Sequence, residues 1–178
     1  MSYFTKRYHP PGTPPGVLTA DESAASRPIN IRLIDYDATD YIEKENITFE
    51  ECLPHLVHPA MTWIHLHGHA EPALLRQIGD AFGLHPLALE DVLNTGQRPK
   101  SETYDNQLFV VMSLPVRRNG SIITQQVSMF VGSNFVVSFH DGLEDPFELV
   151  RKRLRNHSGH IRADGPDHLL YALLVVII

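Results

Sequence analysis

The sequence predicts an α/β fold, specifically an α/β/α sandwich on a mixed, largely antiparallel sheet. Three observations carry that expectation. Residues 29–36 alternate apolar and polar side chains, as a half-buried strand does. Residues 71–82 place Leu74, Leu75, Ile78 and Phe82 at helical spacing, and Gly83 comes next as a stop. Three apolar runs at 107–115, 122–131 and 135–139 succeed one another across the turn signals Asn119-Gly120 and Gly132-Ser-Asn134, which reads as an antiparallel meander. Strands interleaved with helices, then consecutive strands, imply a sheet covered by helices.

The remaining elements fall between these. Residues 41–47 form a weaker second strand, and Thr48 is placed to cap a short helix over 49–56, with Glu50 and Glu51 in its first turn. Residues 61–67, Met-Thr-Trp-Ile-His-Leu-His, read as a strand closed by Gly68. A short helix begins at Pro86, since proline suits a first helical position, and runs to about Leu93. Two helices finish the chain, over 146–157 and from Pro166 onward through Leu169, Leu170, Leu173 and Leu174. The sandwich is expected over 29–178. Residues 1–28 are rich in proline and glycine and are expected to form a flexible leader.

Composition narrows the function. The 178 residues suit one domain with a genuine core. Net charge is −6, from 21 acidic against 15 basic residues, which disfavours nucleic acid as a partner and favours cations. A single cysteine, Cys52, rules out an internal disulfide and a cysteine zinc cluster. The longest apolar run is the ten residues 169–178, against the roughly 20 a membrane helix needs. That helix is expected to pack on the sheet rather than enter a bilayer.

Three segments could carry chemistry. His65 and His67 sit two apart on a strand, point to one face and could share a metal; with His69 they form His65-Leu-His-Gly-His69. The ordinary reading is a strand end with hydrogen-bonded histidines, and it is preferred because no carboxylate stands at a defined spacing. Arg151-Lys-Arg-Leu-Arg-Asn-His157 could bind phosphate, but with Phe147, Val150 and Leu154 turned inward it reads as the solvated face of an amphipathic helix. In the third segment, Glu90 and Asp91 lie near the end of a short helix. Adjacent positions stand about 100° apart there, so the two carboxylates fan out toward different partners. Magnesium tolerates such an arrangement, because it keeps several waters and takes one or two carboxylates.

The third segment, His85-Pro-Leu-Ala-Leu-Glu-Asp-Val-Leu-Asn with Gln97-Arg-Pro-Lys100, resembles the signature of the cytosolic domain of the CorA family of magnesium and cobalt transporters. The proline-glycine leader, Thr62-Trp-Ile, Gln126-Val-Ser-Met-Phe and Asp167-His-Leu-Leu-Tyr-Ala-Leu-Leu174 agree in order and spacing. The resemblance implies a homopentamer on the cytoplasmic face of the cell membrane, with no enzyme activity. It reaches the bilayer only through a stalk and two membrane helices that lie beyond this chain, as does the Gly-Met-Asn pore tripeptide. It also implies Mg2+, with Co2+ as substitute, bound between subunits. Asp91 is then the main ligand, facing an aspartate of the neighbouring stalk, and Glu90 belongs to a weaker second site. Where the family usually places that second site's aspartate, this chain has Val175. The alternatives are the equivalent domain of a zinc transporter of the same superfamily, a free-standing metal-binding module, and a hydrolase built on His65, His67 and His69.

Overall fold

The computed structural model describes residues 14–18, 28–57, 60–142 and 144–178. Seven strands form one sheet: β1 (Asn30–Tyr36), β2 (Tyr41–Glu45), β3 (Met61–His67), β4 (Lys100–Tyr104), β5 (Gln107–Arg118), β6 (Ser121–Val131) and β7 (Phe135–His140). Their order across the sheet is β2-β1-β3-β7-β6-β5-β4. β3 and β7 pair parallel, and the other neighbouring pairs are antiparallel. Four helices accompany the sheet: α1 (Pro72–Phe82), α2 (Pro86–Leu93), α3 (Glu148–Arg155) and α4 (Pro166–Ile177). The α/β fold with a mixed, mostly antiparallel sheet is therefore the one the sequence predicts.

Side-chain alternation divides the interior into two layers. β1 and β3 pair Leu33 with Ile64 on one face and Ile34 with Trp63 on the other. On the first face Leu33, Ile64, Phe109, Phe130 and Phe139 meet Leu75 and Ile78 of α1 and Leu89 and Val92 of α2. On the second, Ile34, Trp63, Val127 and Met129 meet Phe147 and Leu154 beside α3, and Leu169 and Leu173 of α4. Burying one such side chain contributes roughly 1.5–3 kcal/mol, so the two layers supply most of the drive to fold. α4 is committed to that packing, and among the described residues no helix is long and apolar enough to cross a membrane.

Local signals set the helix ends. Pro72 and Pro86 open α1 and α2, where their missing N–H costs nothing. Gly83 closes α1 in the left-handed region at φ 63°, which a residue with a Cβ adopts at a cost. Thr48 and Glu51 bond reciprocally, the Thr48 N–H donating to Glu51 Oε2 at 2.8 Å and the Glu51 N–H to Thr48 Oγ1 at 3.4 Å. The capping chemistry is thus as expected. The element after this cap is shorter than the expected 49–56 helix: turns, then a single 3₁₀ stretch at Leu53–Val57 with no buried residue of its own to lengthen it.

Two other features depart from the sequence reading. β4 lies in the Gln97-Arg-Pro-Lys segment and beyond it, where no strand is expected; its Lys100, Glu102 and Tyr104 share the face half-covered by α2. Arg151 is 1% exposed, not on the solvated face of its helix, because Asp145 takes its Nη2 at 2.7 Å and Glu148 its Nε at 3.0 Å. Lys152, Arg153 and Arg155 are exposed as expected. Within the leader, the described residues 14–18 lie against the domain, with Leu18 buried and its carbonyl accepting from Arg76 at 3.2 Å. The expected flexibility of the other leader residues, 1–13 and 19–27, lies outside the described residues.

A substitution pair tests the two-layer packing. Ile64→Ala, at a fully buried position, should lower unfolding free energy by about 2–5 kcal/mol in urea titration. Ile122→Ala, at a position 66% exposed, should change it by less than about 0.5 kcal/mol.

Candidate metal-binding site

α2 carries the acidic pair. His85 caps it by accepting the Leu87 N–H on Nδ1 at 3.3 Å, and its ring stacks on Tyr104 of β4 at 4.3 Å. Ala88, Leu89 and Val92 face the core, which turns Glu90 and Asp91 to the half-buried flank. They do diverge. Glu90 Oε2 accepts the Gly16 N–H at 2.6 Å, while Asp91 points toward β4 and the loop before it.

Asp91 stands in a specific cradle. Its Oδ1 accepts from Gln97 Nε2 at 2.8 Å, and its Oδ2 from Lys100 Nζ at 2.6 Å. Gln126 of β6 anchors the backbone, donating to the Asp91 carbonyl at 2.8 Å while its own Oε1 accepts the Gln97 N–H at 3.0 Å. Lys100 also reaches both oxygens of Glu102 at 3.1 Å, and Tyr104 donates to Glu102 Oε2 at 2.8 Å. Burial works against the Lys100 ammonium, yet the bonds to Asp91 and Glu102 outweigh it and raise its pKa. The Asp91 side chain keeps 19% of its surface exposed, enough for an ion to approach from solvent.

The side chains here that could hold an ion offer carboxylate or amide oxygens, the chemistry a hard cation takes. Among the described residues no three His, Cys, Asp or Glu side chains converge as a metal cluster. The pair fits a hydrated ion that draws one or two carboxylates from this chain and the rest from elsewhere. Sequence reasoning singles out Asp91 and Glu90 but misses Lys100, Glu102 and Gln126 as their neighbours. A signal for Lys100 and Glu102 is present in the period-two spacing of Lys100, Glu102 and Tyr104. Gln126 lies in a segment that supports the family resemblance, but no local pattern ties it to Asp91, 35 residues away.

His65 and His67 lie on the opposite face of the sheet from α2. His65 and His67 do share a face, their rings stacked at 6.2 Å, and His140 of β7 stacks on His67 at 5.4 Å. His69 comes after Gly68 beyond the strand end and lines a small cavity with Thr95, Gln126 and His140. Trp63 Nε1–H donates to Ser138 Oγ at 2.9 Å, leaving the Ser138 hydroxyl proton for His65 Nδ1 at 2.8 Å. The His65 proton then sits on Nε2, 3.6 Å from Asp145 Oδ1. Ser138 and His65 are at most 1% exposed, so the bonds from Trp63 and His65 to Ser138 tie β3 to β7 inside the core, while His65 Nε2 is buried with no hydrogen-bond partner among the described residues. Burial lowers the His65 pKa to about 3 and that of His140 to about 4.

The same architecture recurs in solved metal transporters. The complete CorA magnesium transporter of Methanocaldococcus jannaschii superposes with a TM-score of 0.63 at 15% identity, over 83% of this chain and 44% of that one. The ZntB cytoplasmic domain of Vibrio parahaemolyticus gives 0.59 at 10% identity, over 83% of this chain and 57% of that one. These likenesses define the fold alone, one shared with the CorA magnesium transporter and the ZntB cytoplasmic domain. Sequence specifies the family. The family model described as CorA-like Mg2+ transporter protein matches residues 59–178, and the cobalt/magnesium transport protein CorA of Thermotoga maritima is 32% identical over 169 residues, 94% of this chain. This chain belongs to the CorA-like family, and it spans 48% of the length of that relative.

Both buried histidines are neutral when folded and free to protonate, near pH 6.5, when unfolded. Their contribution to stability is therefore complete above about pH 6.5 and is lost as pH falls from there toward 4 and then 3. Urea melts at pH 7 and pH 5 should differ by roughly 2 kcal/mol for each histidine. His140→Gln should remove about half of that dependence.

Proposed function

We propose that this domain is the cytosolic, divalent-cation-sensing part of a homopentameric Mg2+/Co2+ channel of the CorA-like family. Asp91 is its main metal ligand and Glu90 a secondary one. The observation that carries the reading is the Asp91 cradle: a partly exposed carboxylate oriented by Gln97, on a backbone carbonyl anchored by Gln126, inside the family-matched span. The Thermotoga maritima relative is a cobalt/magnesium transport protein, so the metals and the choice of residues come from relatedness, and the geometry around Asp91 supports them.

On this reading Asp91 offers its carboxylate across a subunit boundary, and a neighbouring stalk supplies the facing acid. A bound ion supplies charge neutralisation. Without it, facing carboxylates repel and loosen the interface, which favours the open channel. Glu90 is the weaker partner, since Val175, 56% exposed on α4, stands where the family usually has a carboxylate. The membrane connection runs through a C-terminal continuation, with the domain on the cytoplasmic side.

The zinc reading draws on the ZntB likeness, which at 10% identity carries the fold alone. Oxygen donors on α2 suit magnesium better than zinc, whose sites favour histidine and cysteine. In cobalt titration the 178-residue chain should bind with a midpoint on the order of millimolar, as sites with few charged ligands do. Asp91→Ala should abolish that binding and His67→Ala should leave it unchanged; the reverse pattern overturns the assignment.

A further inference from the structure

Among the described residues, Lys100 is the cation that bonds the Asp91 carboxylate, and its position is unusual. The ammonium sits 2.6 Å from Asp91 Oδ2 and at the same time 3.1 Å from each oxygen of Glu102. It therefore has two anionic seats. Glu102 is held in place by the Tyr104 hydroxyl at 2.8 Å, and Tyr104 is itself stacked on His85, the cap of α2. Both seats thus belong to the helix and strand that flank the site, with the long lysine side chain between them. With 29% of its side chain exposed, Lys100 has room to shift without disturbing the core.

We propose that Lys100 is a built-in competitor for the divalent cation at Asp91: it occupies the carboxylate when the ion is absent and withdraws to Glu102 when the ion binds. The inference rests on Asp91 being the ligand. The physical case is electrostatic. A metal on Asp91 would stand within a few ångströms of the Lys100 ammonium, and like charges at that range in a half-buried setting oppose each other strongly. Retreat to Glu102 relieves the repulsion and leaves the ammonium paired, so Lys100 is never stranded. Gln97, which is neutral, keeps its bond to Oδ1 throughout and holds the carboxylate oriented. The consequence is a site tuned to weak binding. A sensor must release its ion when the ion becomes scarce, and an internal cation raises the concentration at which the site fills without adding or removing any ligand.

The test uses the 178-residue chain with Co2+ alone as probe, read by paramagnetic broadening of the Gln97 side-chain amide, which lies beside Asp91. Lys100→Met keeps the aliphatic stem and removes the charge. It should shift the broadening midpoint to about tenfold lower Co2+, while Lys100→Arg should stay within about twofold of the parent chain. In a Lys100→Met/Asp91→Asn double variant the gain should vanish. Melting temperature checks that each variant folds, and Lys100→Gln serves as the neutral substitute if the methionine variant does not. The outcomes separate the two ideas. If Asp91→Asn alone leaves Gln97 broadening unchanged, the ligand assignment fails. If Asp91→Asn abolishes broadening but neither neutral variant at Lys100 lowers the midpoint, the ligand stands and the competitor is overturned.

Discussion

The structure hangs on β3. This strand pairs antiparallel with β1 on one side and parallel with β7 on the other, so it joins the N-terminal hairpin to the C-terminal meander. Six of its seven residues are buried, because helices cover both faces of the sheet at this point. A parallel pair cannot close with a tight turn; the chain must leave the sheet and return. α1, α2 and strands β4 to β6 are that return path. The acidic pair therefore rides on a crossover element, pinned by Leu89 and Val92 below and half-exposed on its outer flank.

How much of this was legible in the sequence depends on the range of each interaction. α2 was readable to the residue, since Pro86 starts it and the pattern of Ala88, Leu89 and Val92 lies within two turns. The meander strands were readable from alternation and from Asn119-Gly120, both of which take positive φ in their turn. Arg151 was misread because its burial depends on Asp145, which lies outside the helix and whose carboxylate also accepts the Phe147 N–H. β4 was missed because an edge strand with Lys100, Glu102 and Tyr104 inward has almost no apolar signal. The candidate ligands Glu90 and Asp91 came from motif resemblance. Their surroundings came only from tertiary structure, as with the bond from Gln126 to the Asp91 carbonyl.

The two faces of the sheet treat charge in opposite ways. Beneath α3 the ionisable groups are sealed: His65 and His140 are held neutral by burial, and Arg151 is matched by Asp145 and Glu148. Such groups serve packing and bond order, and removing a partner there leaves a buried polar atom unsatisfied. Beside α2 the charges stay partly in water, where a pair contributes little to stability but can exchange partners at small cost. An exchangeable carboxylate is what a reversible cation site requires. The buried Ser138–His65 pair has none of that freedom.

On the proposed reading, ligand counting explains why the α2 site would be completed from beyond its own chain. Glu90 and Asp91 are about 100° apart around the helix, so one ion cannot take both directly. Among the described residues no third acidic or imidazole ligand joins them in a metal cluster. A magnesium ion held by Asp91 alone would keep most of its water, and one exposed carboxylate gives weak binding. On the proposed reading, strength comes from a second negative group brought close by assembly. That dependence makes such a site a sensor of contact as well as of concentration: the ion tightens an interface only where two acidic surfaces already face each other. On the proposed reading, weak binding to the isolated domain is the property that leaves the metal's free energy to be realised at the subunit boundary, where it can bias the channel.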